Sequence, residues 1–192
     1  MQKFVFCSGF GFNHNFWKHL ISFFENKQYL YLDDNLNVDG DLIGIGHSLG
    51  MVKLINSGIK FQRMIGLNAF TNFLGNNEKL RRRRMHELNM FESELMRNPQ
   101  LTMQKFYERC GYLSNSNEIK NLNLLDLKFL KMSVIASENT LIITSDNDTI
   151  VPLELIQDNF SDNQIKIIKN AKHMLGYTEA AIVYKEIMNF LE

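Results

Sequence analysis

Gly46-His47-Ser48-Leu49-Gly50 is the stretch on which the reading of this chain turns. It fits the pattern G-x-S-x-G, and its surroundings are the ones that pattern requires. Upstream, residues 41–46 form an apolar run of small residues that reads as a buried strand. Downstream, residues 49–55 read as a helix that Gly58 ends. A serine on such a sharp strand-to-helix turn exposes its Oγ, and the turn aims backbone N–H groups and the helix N-terminus at the space in front of it. Glycines at 46 and 50 let the backbone crowd there without Cβ clashes. An ordinary βα turn that happens to hold Ser and Gly is the alternative, so the rest of the chain has to decide.

Strand signals recur on both sides of this turn. Residues 4–7 are a short apolar run closed by Ser8-Gly9-Phe10-Gly11, and residues 13–24 follow with Phe16, Leu20, Phe23 and Phe24 at helical spacing, capped by Asn13. Residues 29–32 read as a strand with Asp33-Asp34-Asn35 as its turn, and residues 61–67 as another. Between about 76 and 133 the strand signals vanish and charged amphipathic segments replace them. There Leu88, Phe91 and Leu95 share one helix face, and Met103, Phe106 and Tyr107 share another after Pro99. Phe91 and Met96 are expected to pack down onto the core. Alternation then returns: strand 140–144, helix 153–160, strand 165–168, helix 179–191. Strands alternating with helices imply an α/β fold with a mostly parallel sheet, helices on both faces and a helical insertion at 76–133.

Composition narrows the classes. The 192 residues suffice for one core without staples, so 1–192 reads as one domain. A hydrophobic share of 45% with 22% charged residues excludes a disordered chain or a coiled coil. With 21 basic and 21 acidic residues the net charge is zero, which disfavours a nucleic-acid binder. Cys7 and Cys110 make no disulfide framework or metal motif and read as reduced thiols of a cytoplasmic protein. No run of 18 apolar residues exists, and the N-terminal run is too short for a signal peptide, so no membrane role is expected. His14, His19 and His86 have no partners at metal spacing, so neither metal nor cofactor is expected.

Two further segments give the turn at Ser48 its chemistry. Asp146-Asn147-Asp148 follows the strand at 140–144, and Lys172-His173-Met174 follows the last strand. Acid and base thus fall at the strand ends where an α/β site collects its groups. The order Ser48, Asp148, His173 is that of a Ser-Asp-His triad, in which His173 takes the serine proton and Asp148 holds the imidazole. Asp146 competes with Asp148; the Ile150-Val151-Pro152 stretch that follows favours Asp148. His47 is read as packing or hydrogen-bonding within the turn, without a catalytic role. Phe10, Phe70 and Phe73 lie on loops expected near the site, where they line an acyl channel or pack in the core.

These pieces resemble an α/β-hydrolase. Within that superfamily the chain resembles the pimeloyl-ACP methyl ester carboxylesterases of biotin synthesis. The matching residues are Phe6-Cys7-Ser8-Gly9-Phe10-Gly11 with Trp17, the 46–50 turn, Asp148-Thr149-Ile150-Val151-Pro152 and Lys172-His173-Met174. Met96-Arg97-Asn98-Pro99, Met103-Gln104-Lys105-Phe106-Tyr107 and Cys110-Gly111 match in the lid. The resemblance implies serine ester hydrolysis, with an oxyanion hole from the backbone N–H groups of Phe10 and Leu49. Ser8-Gly9 stands where many relatives carry His-Gly, a change that a backbone hole tolerates. It also implies an acyl carrier protein as partner of a monomeric enzyme. Residues 78–109 carry eight basic and five acidic side chains, including Arg81, Arg82, Arg83 and Arg84. Arginine grips phosphates and carboxylates bidentately, so these four are candidates for holding the carrier. The bland reading is a solvated helix face, since four consecutive residues fan around a helix at about 100° each.

Overall fold

The computed structural model describes residues 2–33, 40–112 and 122–192. Asp34 and Asn35 of the expected turn, and 113–121 of the insertion, lie outside the described residues. Six strands form one sheet: β1 Lys3–Cys7, β2 Gln28–Tyr31, β3 Leu42–His47, β4 Arg63–Leu67, β5 Thr140–Ser145 and β6 Gln164–Ile168. Their order is β2-β1-β3-β4-β5-β6, and every strand pairing is parallel. All six fall where the apolar runs place them, to within a few residues.

The sheet is covered on both faces, as period-two alternation along β1 shows. Phe4 and Phe6 point to an aromatic layer with Trp17 and Phe24, at ring distances of 4.8 Å for Phe4–Phe24 and 4.9 Å for Phe6–Trp17. Val5 and Cys7 point the other way, onto Met51 and Leu54 of α2 (Leu49–Asn56). β3 and β5 are buried along their whole length, the pattern of central parallel strands.

The stretch 13–24 is helical but not one helix. Asn13 caps it, accepting from the Asn15 N–H, and α1 (Lys18–Ile21) is flanked by tight 3-10 turns at His14–Trp17 and Ser22–Phe24. The Ser22 hydroxyl donates back to the His19 carbonyl at 2.8 Å, diverting an acceptor that a continuing helix would use. The last helix, expected at 179–191, runs unbroken over Ala180–Leu191, with Glu179 as its N-cap residue.

Between β4 and β5 the chain builds α3 (Glu78–Arg97) and α4 (Pro99–Cys110). Asn77 caps α3 through Lys79 and Leu80 N–H, and Asn98 caps α4 through Leu101 N–H. Leu80, Leu88 and Leu95 of α3 are buried, as are Met103 and Tyr107 of α4. Met96 does not pack inward as expected: it is 81% exposed. Leu95 takes the inward position, and the next residue along a helix is turned by about 100°, which points Met96 to solvent. After β5 come α5 (Leu153–Asn159), α6 (Leu175–Thr178) and α7 (Ala180–Leu191). No described helix is long and apolar enough to cross a membrane.

This strand order fixes where a ligand fits. From β1 the chain moves out to β2, then returns to place β3 on the other side of β1. At such a reversal the loops leaving the two strands diverge and open a crevice at their C-terminal ends. Ser48 follows β3 and the Phe10 loop follows β1, so both lie at that crevice.

Candidate active site

Ser48 sits at φ 53°, ψ −122°, between the end of β3 and the first residue of α2. A non-glycine residue in that region carries backbone strain, and the neighbours hold it there. Its N–H donates to the Leu67 carbonyl at 3.0 Å, and its carbonyl accepts from Met51 N–H at 3.2 Å. The flanking glycines are required sterically. A Cβ on Gly50 would lie 2.0 Å from the Cys7 carbonyl oxygen, and one on Gly46 would lie 2.7 Å from the Met51 backbone. β1, β3 and α2 are therefore pressed together at this turn. Leu49 N–H, in the first turn of α2, is among the amides that the helix itself leaves unpaired.

The loop after β1 is braced from three sides. Trp17 Nε1 donates to Ser8 Oγ at 2.8 Å, and Ser8 Oγ donates to the Asn13 carbonyl at 3.0 Å. Tyr107 Oη, from α4, donates to the Gly11 carbonyl at 2.5 Å. A Cβ on Gly9 would lie 2.9 Å from the Ser48 Cβ, so this loop runs against the serine turn. No main-chain hydrogen bond among the described residues occupies the Phe10 N–H.

His173 and Asp148 meet in the interior. His173 Nδ1 lies 2.6 Å from Asp148 Oδ2, with both side chains almost wholly buried. Asp148 Oδ1 accepts from Ile150 N–H at 2.7 Å and Val151 N–H at 3.0 Å, so the Ile-Val stretch orients the acid. His173 Nε2 is buried and makes no hydrogen bond among the described residues. Catalytic hydrogen bonds often tighten only once substrate is bound. Asp146 is occupied elsewhere: its Oδ1 accepts from Asn170 N–H at 2.7 Å and so anchors the loop that leads to His173.

His47 is buried and stacked on Phe16, with ring centroids 4.0 Å apart. Its Nε2 lies 3.1 Å from the His173 carbonyl, so it donates there as the Nε2–H tautomer. Burial, with His173 nearby, holds its pKa well below the ordinary histidine value of 6.5. The unfolded chain therefore binds a proton in acid that the native state refuses. Stability is expected to fall as pH drops below about 6.5, because the unfolded state then binds more protons than the native one. Urea midpoints at about pH 7.5 and about pH 5.5 measure this, and a His47→Gln variant should show a shallower slope. Cys7 and Cys110 are free and buried; burial pushes the Cys7 thiol up to about 12 and raises Cys110 as well, so neither is a nucleophile at neutral pH.

A cavity of about 80 Å³ opens beside Ser48, lined by Phe10, Phe70, Phe73, Phe91, Phe106 and Arg84 among others. All three loop phenylalanines singled out in the sequence thus face it. Phe10 packs edge-on against Phe91 of α3 and Phe106 of α4, at 5.8 and 6.1 Å. The four arginines do not act together. Arg82 pairs with Glu78, and Arg83 pairs with Glu154 at 2.5 Å. Arg84 is buried, donates to the Ile150 carbonyl at 2.9 Å and to Glu87 at 3.0 Å, and lies over the Phe73 ring at 4.0 Å. Its desolvation lowers its pKa from the arginine value, with Glu87 acting against that shift. Arg81 alone of the four is exposed without a partner among the described residues.

Asn68 is the site residue that motif reading misses. It follows β4 at φ 44°, wholly buried, and its amide reaches both the His173 loop and the end of β5. Its only sequence signal is an asparagine just past a strand, which turns share.

No protein-family model matches the chain, and no curated protein matches it in sequence. Solved structures share its fold. The esterase EaEST from Exiguobacterium antarcticum is similar at a TM-score of 0.77 and 12% identity, over 99% of this chain and 91% of that one. BioG from Haemophilus influenzae is similar at a TM-score of 0.63 and 15% identity, over 91% and 90% of the two chains. Epoxide hydrolases from hot-environment metagenomes, described as belonging to the α/β-hydrolase superfamily, reach a TM-score of 0.66 at 16% identity, over 100% and 91%. The architecture is therefore the α/β-hydrolase fold, and at these identities the likeness is one of fold.

Proposed function

We propose that this protein is a serine carboxylesterase acting on the methyl ester of a pimeloyl-acyl carrier protein. Ser48 is the nucleophile, His173 the general base and acid, and Asp148 the residue that fixes the imidazole tautomer. Ser48 Oγ bonds to the ester carbonyl carbon while its proton passes to His173 Nε2. Phe10 and Leu49 N–H groups hold the oxyanion. The carbonyl–methoxy bond then breaks and methanol leaves with that proton. Water attacks the acyl-enzyme with His173 again taking the proton, which returns to Ser48 as the acid departs.

One observation carries the reading: a serine held at φ 53° in a glycine-flanked turn, with the 2.6 Å His173–Asp148 pair arriving from the neighbouring strand ends. The aromatic cavity beside Ser48 supports an acyl substrate, and the esterases among the fold neighbours support the reaction class. The resemblance of the lid stretch supports the pimeloyl carrier. Arg81 is the lid arginine left to meet such a partner. The small cavity favours one alternative, a short-chain carboxylesterase or thioesterase with the same residues. A non-catalytic scaffold is a third reading, and reactivity toward a fluorophosphonate separates it from the other two.

Mass spectrometry of methyl-pimeloyl carrier protein, incubated with wild type and with Ser48→Ala, tests the proposal. Loss of one methyl ester only with wild type is the expected result. Intact substrate, with p-nitrophenyl esters cleaved, would leave the alternative.

A further inference from the structure

We infer that Asn68 is a positioning residue for His173, acting through the backbone of the loop that carries it. This inference rests on the proposed role of His173 as the base. Asn68 Nδ2 donates to the carbonyls of Lys172 at 3.0 Å and His173 at 3.1 Å. Its Oδ1 accepts from Thr144 Oγ1 at 3.1 Å and Ser145 N–H at 2.9 Å, and the Ser145 hydroxyl, 3.2 Å from that Oδ1 and 3.0 Å from the Lys172 carbonyl, has one proton to share between the two. Its own N–H donates to the Ile143 carbonyl at 2.9 Å. One side chain thus joins the end of β4, the end of β5 and the base itself.

The partners fix the amide orientation, because carbonyl oxygens accept only and must face the NH2 group. They also explain why asparagine stands here. Aspartate would set a carboxylate oxygen against two carbonyl oxygens. Serine would lack the second donor. The backbone lies in the left-handed region, which asparagine tolerates better than most residues. Besides Asn68 and the shared Ser145 proton, His47 Nε2 donates to the His173 carbonyl at 3.1 Å. The imidazole makes its one hydrogen bond through Nδ1 to Asp148, so where Nε2 lies is set by that bond and by this backbone. A misplacement of about 1 Å in such a group costs about 100-fold in rate.

Asn68→Gly is the first test, since glycine adopts a positive φ without strain and keeps the turn. With p-nitrophenyl acetate as probe, kcat is expected to fall by about 30- to 100-fold while KM stays within about threefold. The low-field NMR resonance of the His173 Nδ1 proton should move as well. Ser145→Ala, which removes the one hydroxyl proton shared between the Lys172 carbonyl and Asn68, should lower kcat by about three- to tenfold with KM unchanged; it decides the matter if Asn68→Gly does not fold. A folded Asn68→Gly or Ser145→Ala enzyme with wild-type kcat and an unmoved resonance overturns the inference. Ser48→Ala measured alongside separates the two layers. If it is inactive while the Asn68 variant is unchanged, only the positioning role falls; if it is active, the triad falls and the positioning role with it.

Discussion

The Ser48→Ala substitution is expected to lower kcat for p-nitrophenyl acetate by about 10⁴-fold or more, since removing a triad nucleophile elsewhere costs up to about 10⁶-fold. The size follows from what is removed and what stays. Ser48 carries the one hydroxyl, and there is no thiol, among the described residues that line the cavity. The backbone N–H groups of Phe10 and Leu49 remain, so a residual rate above the uncatalysed one is expected. Alanine keeps the backbone of residue 48 as strained as serine does, at φ 53°. The variant should therefore show the circular dichroism spectrum of wild type and a Tm within a few degrees. Steady-state kinetics and a thermal melt together check this. Retained activity in a folded variant would remove Ser48 from the chemistry.

The second large effect separates two acids two residues apart. Asp148→Asn is expected to lower kcat by about 10⁴-fold, the cost of letting the imidazole adopt the wrong tautomer. The amide can still accept from Ile150 and Val151 N–H through its oxygen. That leaves its NH2 facing His173 Nδ1, so the ring proton shifts to Nε2, where the serine proton has to go. Asp146→Asn should change kcat by only a few-fold, because its carboxylate holds Asn170 N–H and touches neither His173 nor Ser48 by any hydrogen bond. An amide oxygen can keep that bond. The ratio of the two effects is the diagnostic, and equal losses would contradict the assignment of Asp148.

Much of this is legible in the sequence itself. Apolar runs of four to seven residues bounded by turn residues locate all six strands: the inner ones, buried on both faces, read as continuous apolar stretches, and the partly exposed edge strands β2 and β6 read through their aromatic and β-branched residues. The order of Ser48, Asp148 and His173 was legible because each follows its own strand. Asn68 was not, since a buried clamp and a surface turn look alike when the partners, Lys172 and Ser145, are far along the chain. The role of Arg84 left a readable trace. It lies four residues after Leu80 and four before Leu88, so helical spacing places it on the buried face. The arginines at 81–83 beside it make a charged run that masks this spacing. The ion pairs of Arg82 and Arg83 divide between a local one, Glu78 at four residues, and a distant one, Glu154, that only the fold supplies.

Trapping the acyl-enzyme tests the central claim most directly. Wild type mixed briefly with p-nitrophenyl acetate and quenched in acid should gain the mass of one acetyl group, mapped by peptide sequencing to Ser48. His173→Ala should show little of that adduct and Ser48→Ala none. An acetyl group on another residue, or an adduct that survives the Ser48→Ala substitution, would contradict the account.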